Sequence, residues 1–401
     1  MARLRSHIPF IVIALLAFLF RIYLWKKTGV AEYGDMLRYD AMAMHVVWHG
    51  YLGNGTVPDA FVTPGYPLFV AIIMKLVSIL HTSGLSHQRL IHEVYLAQQV
   101  LSIITLLLIY MLGTVMVNKL TGVIAALLSL FYLPNSFVGL MLLTEALFIP
   151  LLIATILAFV FAQKTNRRRY YALSGFLLGL TTLVRPTVLP LLILFAVLSW
   201  WPSRRMGVTG AVTWLKQFAW CIVLFIVTMM PWWVRNALDF HRFIPLSTEA
   251  GNPLLAGADP YFKVPIDTLI QMSRNLHESQ QTFAIHYIEQ GLTHHFFFFV
   301  GWFLFGKLGY LFWQPWLYGY MALFVLYHHV VVVLGFILMF AGLFWRQLRT
   351  ISFTTLALLL LQLGFLPTAR YGYPIIVLWL IILAAYVVQV WHIFVQRRSH
   401  A

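Results

Sequence analysis

Two carboxylates stand just after the first apolar stretch of the chain, in the segment GDMLRYDAMAMHVVWHG at 34–50. If this segment is helical, Asp35 and Tyr39 lie four residues apart and share a face, whereas Asp40 is rotated away from them. A carboxylate that is partly desolvated but ionised at a membrane surface can accept a proton from an incoming hydroxyl group. The alternative is that Asp35 caps the helix that begins after Gly34, and one carboxylate can fill both roles.

The composition is that of an integral membrane protein. Of the 401 residues, 61% are hydrophobic and only 10% are charged, and the mean hydropathy is +0.84. The net charge of +15 comes from Lys and Arg clustered in short loops between apolar runs, which indicates membrane topology rather than nucleic-acid binding. The single cysteine, Cys221, has no second cysteine with which to form a disulfide or a cysteine metal cluster.

Apolar runs of about 20 residues predict membrane-spanning helices. We expect ten such helices in an all-α polytopic fold that forms a single domain over residues 1–401, without a separate soluble domain. Seven runs are long, at 8–24, 92–117, 121–137, 144–161, 211–232, 317–345 and 374–394. Three are shorter, at 171–184, 186–200 and 351–366. The first run lacks a small-residue cleavage site, so we expect it to be retained as an anchor.

The distribution of basic residues predicts the orientation, because Lys and Arg are enriched in short cytoplasmic loops. With both termini cytoplasmic, the basic clusters at 164–169, 204–205 and 346–349 all lie inside. Every Asp and Glu, from Glu32 to Glu289, then lies on the outer side or near an outer helix end. This sorting of the acids suggests chemistry on the outer face.

Two outer segments are long, at 25–91 and 233–316. Each contains an apolar tract, at 67–80 and 294–316, that we expect to lie in the membrane interface. The first tract is too short to be a confident span. In the second, Lys307 in the middle and the enrichment in aromatic residues favour an interfacial helix.

Several motifs occur in a characteristic order along nearly the whole chain. They are GDMLRYDAMAM with TPGYPLF in the first outer segment, LLTEALF at 142–148, GLTTLVRPTVL at 179–189, PWWVRN at 231–236 and ARYGYP at 369–374. In this order they resemble the membrane glycosyltransferases with the C-type fold (GT-C), in the family that includes protein O-mannosyltransferases and the aminoarabinose transferase of lipid A. Such enzymes move a sugar from a polyprenyl-phosphate carrier to an acceptor on the outer or lumenal face.

The resemblance implies that Asp35 is the catalytic base. The carrier's phosphate leaves with developing negative charge and needs a fixed cation, for which Arg185 and Arg370 at outer helix ends are the candidates. Each arginine also has an alternative role without phosphate contact. Arg185 can snorkel to the interface, and Arg370 can anchor its helix there. Glu145 is expected to orient the acceptor or a sugar hydroxyl, although a helix N-terminus also favours an anion without any catalytic role.

Further residues complete the predicted substrate-binding set: Tyr39, Tyr66, Asp40, Arg235 and Tyr371. Tyr371 is expected to orient the phosphate or the sugar. Asp40 either supports Asp35 or pairs with Arg38, and we favour the structural option. Arg235 marks the entrance to the second outer segment, where a solvated helix end is an alternative to substrate contact.

The sequence predicts no metal and no cofactor. The adjacent histidines at 294–295 and 328–329 point about 100° apart on a helix, which does not suit neighbouring ligands of one ion. A phosphate-cradling P-loop is absent from the sequence, so a nucleotide sugar is an unsuitable direct donor. The expected partners are a polyprenyl-phosphate-linked sugar and a lipid, glycan or protein acceptor.

The predicted reaction is an inverting displacement on the periplasmic face of a bacterial inner (plasma) membrane. A retaining mechanism would use Asp35 and Glu145 as a carboxylate pair. The alternative from another class is a transporter or flippase for a lipid-linked substrate, which explains charges within the membrane but not two long outer segments. A non-catalytic scaffold leaves the ordered motifs unexplained.

Overall fold

The computed structural model describes residues 7–53, 55–81, 84–203, 207–248, 251–319 and 321–399. These residues form helices and connecting loops, and no strand occurs among them. The principal helices, in chain order, are α1 (Ile8–Lys27), α2 (Asp35–His49), α3 (Gly65–Leu80), α4 (His87–Met116), α5 (Lys119–Phe131), α6 (Glu145–Thr165), α7 (Arg168–Val184), α8 (Leu191–Ser203), α9 (Gly207–Phe240), α10 (Gly251–Ala258), α11 (Ile266–Asn275), α12 (Gln280–His294), α13 (Phe296–Gly301), α14 (Lys307–Phe312), α15 (Ala322–Phe344), α16 (Arg349–Leu363) and α17 (Ala369–Ser399).

Seven helical stretches in the described chain are long and apolar enough to cross a membrane. They are α1, α4, α6, α8 with the turn that precedes it, α9, α15 and α17. An eighth candidate is α5 together with the segment at 134–140, to which it is bent by 75°. The protein is therefore an integral membrane protein, and the predicted all-α polytopic fold is confirmed. Helices α7 and α16, with 17 and 15 residues, are shorter, so the predicted count of ten spans stays a prediction.

The centre of the bundle is built from close helix contacts. Helix α7 packs between α6 and α9, and α4 packs against α5 and α6. Glycines allow the closest approach, because a Cβ at Gly175 would collide with the carbonyl of Cys221 and one at Gly179 would press on Thr228. Small residues at such contacts are how helices approach each other closely in membranes. The last helix, α17, packs against α15 and α5 and is almost entirely buried along 373–385.

The first outer segment contributes α2 and α3, which pack against each other. The 16 residues of α3 rise about 24 Å, which is less than the roughly 30 Å of a hydrocarbon core. One face of α3 buries Val70 and Met74, whereas Ile72, Leu76 and Ile79 remain exposed on the other. This one-sided burial agrees with the interfacial placement predicted from the sequence, which stays a prediction.

The second outer segment has a small core of its own, formed by Leu255, Leu269, Phe283 and neighbouring residues of α10, α11 and α12. It docks on the loop that follows α16, where the backbone amide of Leu366 donates to the carbonyl of Pro253 at 2.8 Å. That loop leads directly into α17. The second outer segment thereby supports the start of the last helix.

The aromatic tract at 294–316 is not one continuous α-helix. Helices α13 and α14 are joined by a π-helical turn at Trp302–Gly306. Lys307, which the sequence places at a membrane interface, is instead buried and donates to the carbonyls of Leu363 and Phe365 at 2.7 and 3.1 Å. The lysine satisfies the carbonyl of Leu363, which the end of α16 leaves without a helical partner, and that of Phe365 in the loop that follows.

Candidate active site

A buried carboxylate lies at the centre of the site. Glu145 is the first residue of α6, and its side chain is 0% exposed. Its Oε1 accepts hydrogen bonds from Arg185 Nη2, at 2.5 Å, and from Arg370 Nε, while its Oε2 accepts one from Arg370 Nη2 at 3.1 Å. Two arginines from distant parts of the sequence are thus fixed by one anion, which the N-terminus of α6 also stabilises.

Arg370 connects this buried carboxylate to an accessible one. Its Nη1 donates to Asp35 Oδ2 at 2.7 Å, so the guanidinium bridges Asp35 and Glu145. Asp35 is the first residue of α2, and Gly34 occupies the N-cap position without a side-chain capping bond. The Asp35 side chain is 43% exposed, in contrast to the enclosed Glu145. Of these two carboxylates, only Asp35 is open to an incoming molecule.

Arg185 follows the last residue of α7 and points into the protein. Its Nε donates to Thr144 Oγ1 at 2.7 Å, and its guanidinium lies 5.3 and 5.4 Å from the ring centroids of Phe148 and Tyr371. Only 14% of its side chain is exposed. These inward contacts favour the binding-site interpretation over snorkelling to the interface.

Two tyrosines form the wall beside Asp35. Tyr39 lies one helical turn after Asp35, as the sequence predicts, and its ring meets the ring of Tyr66 edge to face at 5.0 Å. Burial raises the pKa of both hydroxyl groups well above the usual value for tyrosine, so both stay protonated and can donate hydrogen bonds. Tyr66 donates to Gln98 Oε1 at 2.8 Å, and this bond holds the wall against α4.

The turn TPGYP fixes Tyr66 relative to Arg185. Thr63 Oγ1 donates to the carbonyl of Val184 at 3.2 Å, one residue before Arg185. A Cβ at Gly65 would lie 2.7 Å from the carbonyl oxygen of Leu183, so only glycine allows this approach. The first outer segment is therefore locked to the end of α7.

The structure places two of the predicted residues in other surroundings. Asp40 Oδ2 pairs with His87 Nε2 at 2.8 Å. Burial raises the pKa of Asp40, and the neighbouring His87 lowers it in part. Arg235 donates to the carbonyls of Leu52 and Asp59, both at 2.8 Å, and ties the first outer segment to α9. Substrate binding by Asp40 and Arg235 stays a prediction that these contacts do not support.

The remaining predicted residues are brought together in one cluster: Asp35, Tyr39, Glu145, Arg185, Arg370 and Tyr371, with Tyr66 adjoining through Tyr39. Sequence reasoning missed two supporting residues, Thr144 and Gln98. A signal for Gln98 was present, because polar side chains within an apolar span are costly and usually have a specific partner.

One of the two adjacent histidine pairs binds backbone carbonyls. His328 and His329 donate to the carbonyls of Phe312 and Trp313, at 2.8 and 2.7 Å. These bonds help to hold the end of α14 against α15.

Part of the chain matches a known protein family. Residues 62–233 match the family model described as dolichyl-phosphate-mannose-protein mannosyltransferase. The matched stretch is less than half of the chain and includes Tyr66, Glu145 and Arg185. Among curated proteins, none is similar enough in sequence to match.

Solved structures give a match over the whole chain. The apo oligosaccharyltransferase of Archaeoglobus fulgidus aligns over 97% of this chain and 52% of its own, with 13% identity and a TM-score of 0.59. The same enzyme tethered to an acceptor peptide containing the NVT sequon aligns over 100% and 52%, with 13% identity and a TM-score of 0.60. The chain has the membrane glycosyltransferase fold. The fold that the resemblance to GT-C glycosyltransferases implies is thereby confirmed.

The chain spans about half the length of the oligosaccharyltransferase. A further structure, described as ArnT from Cupriavidus metallidurans bound to undecaprenyl phosphate, aligns over 94% of this chain and 76% of its own at 12% identity. Its TM-score of 0.37 is too low to carry an argument.

The contribution of Glu145 to stability can be tested by removing its charge. We expect Glu145→Gln to destabilise the protein by about 3–5 kcal/mol, because two largely buried arginines lose their shared anion. Thermal unfolding in detergent measures this change. Glu289→Gln, which neutralises an exposed carboxylate of α12, is the matched control and is expected to change stability little. Equal unfolding temperatures for Glu145→Gln and the wild type would contradict the central role of Glu145.

Proposed function

We propose that the protein is a glycosyltransferase that moves a sugar from a polyprenyl-phosphate carrier to an acceptor, with Asp35 as the general base. The observation that carries this proposal is the Arg370 bridge between accessible Asp35 and enclosed Glu145. It places a proton acceptor and a fixed cation side by side. The family model that matches 62–233 is named for transfer from dolichyl-phosphate mannose, which supports a polyprenyl-phosphate donor.

The reaction is a single displacement at the anomeric carbon. The acceptor oxygen or nitrogen attacks this carbon while the bond from the carbon to the carrier's phosphate oxygen breaks. Asp35 takes the proton from the acceptor, and the phosphate leaves with the electron pair of the broken bond. The acceptor approaches from the open side of Asp35, opposite the bond from Arg370.

The charges of the cluster fit this proton transfer. Two guanidinium groups and two carboxylates balance before the reaction. When Asp35 becomes protonated, Arg370 loses one of its two anionic partners and the cluster gains a net positive charge. This charge arises as the leaving phosphate becomes more negative, in a partly buried site where electrostatic stabilisation is strong. Arg185 provides a second cation held by the same Glu145.

The burial of Glu145 supports inversion of the anomeric configuration. A retaining enzyme needs a second carboxylate that can attack the sugar, at about 5–5.5 Å from the first. Both oxygens of Glu145 accept hydrogen bonds from arginine, and its side chain is enclosed. Glu145 therefore suits the positioning of the two arginines, while Asp35 acts alone. Tyr39 and Tyr371 line the same space and are placed to orient the sugar or the phosphate.

The site is proposed to face the periplasm from a bacterial inner membrane, with both termini cytoplasmic. The starts of α2, α6 and α17 and the end of α7 meet at one end of the bundle, which we call the site end. At the opposite end, Lys164 donates to the carbonyl of Val115, and three consecutive arginines follow at 167–169, where α7 begins. This distribution is the one expected when the opposite end is cytoplasmic.

Neutralising the proposed base tests the reaction. We expect Asp35→Asn to lower sugar transfer at least about 100-fold, because an amide cannot accept the proton. Mass spectrometry of envelope lipids and glycoproteins, from cells producing equal amounts of each variant, measures transfer without assuming which sugar or acceptor is used.

Glu289→Gln is the control and is expected to retain transfer. Retained transfer by Asp35→Asn would remove Asp35 from the mechanism. Movement of a lipid-linked sugar across the membrane, with no new sugar-bearing product, would favour a transporter or flippase instead.

Cysteine labelling tests the orientation. In a Cys221→Ala background, we expect Tyr33→Cys, in the exposed loop before Asp35, to react with a membrane-impermeant maleimide added to intact spheroplasts. Arg346→Cys, between α15 and α16, is expected to react only after the membrane is permeabilised. The reverse pattern would place the site in the cytosol and contradict the proposal.

A further inference from the structure

A second polar cluster lies on the side of α2 that faces away from Arg370. It consists of Glu32 in the loop before α2, Asp40 on α2, and His87 at the start of α4. One ligand atom from each of these residues lies within 4.8 Å of the others. No part of the proposed sugar transfer uses them.

Several polar atoms of this cluster lack a hydrogen-bond partner among the described residues. Glu32 Oε1 and Asp40 Oδ1 are both shielded from solvent and unpaired. Tyr95, from the next turns of α4, is fully buried, and its hydroxyl is unpaired as well. The charges of Glu32 and Asp40 act on this hydroxyl, which therefore lies near the cluster. Buried polar atoms of native proteins nearly always have a partner, and orphaned ones often mark an ion or water.

Burial raises the pKa of both carboxyl groups, and repulsion from Asp40 raises that of Glu32 further. His87 offsets part of this repulsion through its bond to Asp40. The cluster therefore holds more acceptor than donor capacity, an excess that a cation can balance.

The donor set identifies the class of cation. Two carboxylate oxygens and one imidazole nitrogen suit a divalent transition metal, with zinc as the representative ion. Zinc binds such ligands at about 2.0–2.2 Å, so ligand atoms around one ion lie no more than about 4.4 Å apart. The observed separations between ligand atoms, all within 4.8 Å, are close to this value.

We propose that Glu32, Asp40 and His87 bind one divalent transition-metal ion, with the Tyr95 hydroxyl beside it. The ion joins the loop before α2, α2 itself and the start of α4, and so fixes the helix on which Asp35 stands. The sequence predicts no metal, and its adjacent histidine pairs are not part of this site. The proposal concerns binding and stands independently of the sugar-transfer reaction.

Zinc binding by the full chain tests the proposal. Protein purified in detergent is stripped with a chelator and dialysed against increasing concentrations of Zn²⁺, and bound zinc is measured by elemental mass spectrometry. We expect one ion per wild-type chain, and at least tenfold weaker binding for Asp40→Asn and for His87→Gln. The same ion is expected to raise the unfolding temperature of the wild type but not of His87→Gln.

The matched control is His286→Gln, which removes an exposed histidine that pairs with Glu278, where the described residues offer no third ligand. This variant is expected to bind zinc like the wild type. His87 is half-exposed, so His87→Gln is expected to fold, and it decides the question if Asp40→Asn does not fold. Equal zinc binding by the wild type and His87→Gln, or an equal loss in His286→Gln, would overturn the proposal.

Discussion

The structure depends on one buried anion that holds two cations. Without Glu145, Arg185 and Arg370 would be largely buried guanidinium groups with too little negative charge around them, which is costly in a low-dielectric interior. With it, three helix ends are joined at one point: the start of α6, the end of α7 and the start of α17. Arg370 extends the network to Asp35 and so adds the start of α2. The interaction is at once a fold contact and the support of the candidate active site.

Other contacts of the fold help to hold Asp35, Arg185 and Arg370 in position. The turn at Gly65 locks the first outer segment to the end of α7, and Tyr66 braces it against Gln98. The second outer segment contacts the loop before α17, where Leu366 bonds to Pro253 only a few residues before Arg370. Arg370 and Asp35 are thus held by separate segments, and both segments are anchored in the helical bundle. Such double support is what a preorganised electrostatic site requires.

Much of this arrangement could be predicted from the sequence. Apolar runs locate most of the long helices, and helical spacing puts Asp35 and Tyr39 on one face. The positive-inside tendency predicts the orientation, which puts Arg185, Arg370 and Glu145 at outer helix ends. They could therefore be expected on the same side of the membrane as Asp35. The resemblance to GT-C enzymes supplied the roles that spacing alone leaves open.

Contacts between distant segments could not be predicted. The pairing of Asp40 with His87 depends on how α2 lies against the start of α4. Helical spacing predicts only that Asp40 lies on a different face of α2 from Asp35. In the same way, Arg235 lies at a helix end in the sequence, but its carbonyl partners at Leu52 and Asp59 come from another segment. The enclosure of Glu145 also results from packing, because a carboxylate at a helix start is equally compatible with exposure.

The central claim is that Arg370 couples the proton acceptor to the leaving phosphate. A double-mutant cycle in sugar transfer, with Asp35→Asn, Arg370→Gln and the double variant at equal protein levels, measures this coupling directly. Residues that act as a unit give effects that are far from additive. We predict that the double variant transfers sugar about as slowly as the slower single variant. A loss equal to the product of the two single losses would show that the residues act independently, and it would contradict the account.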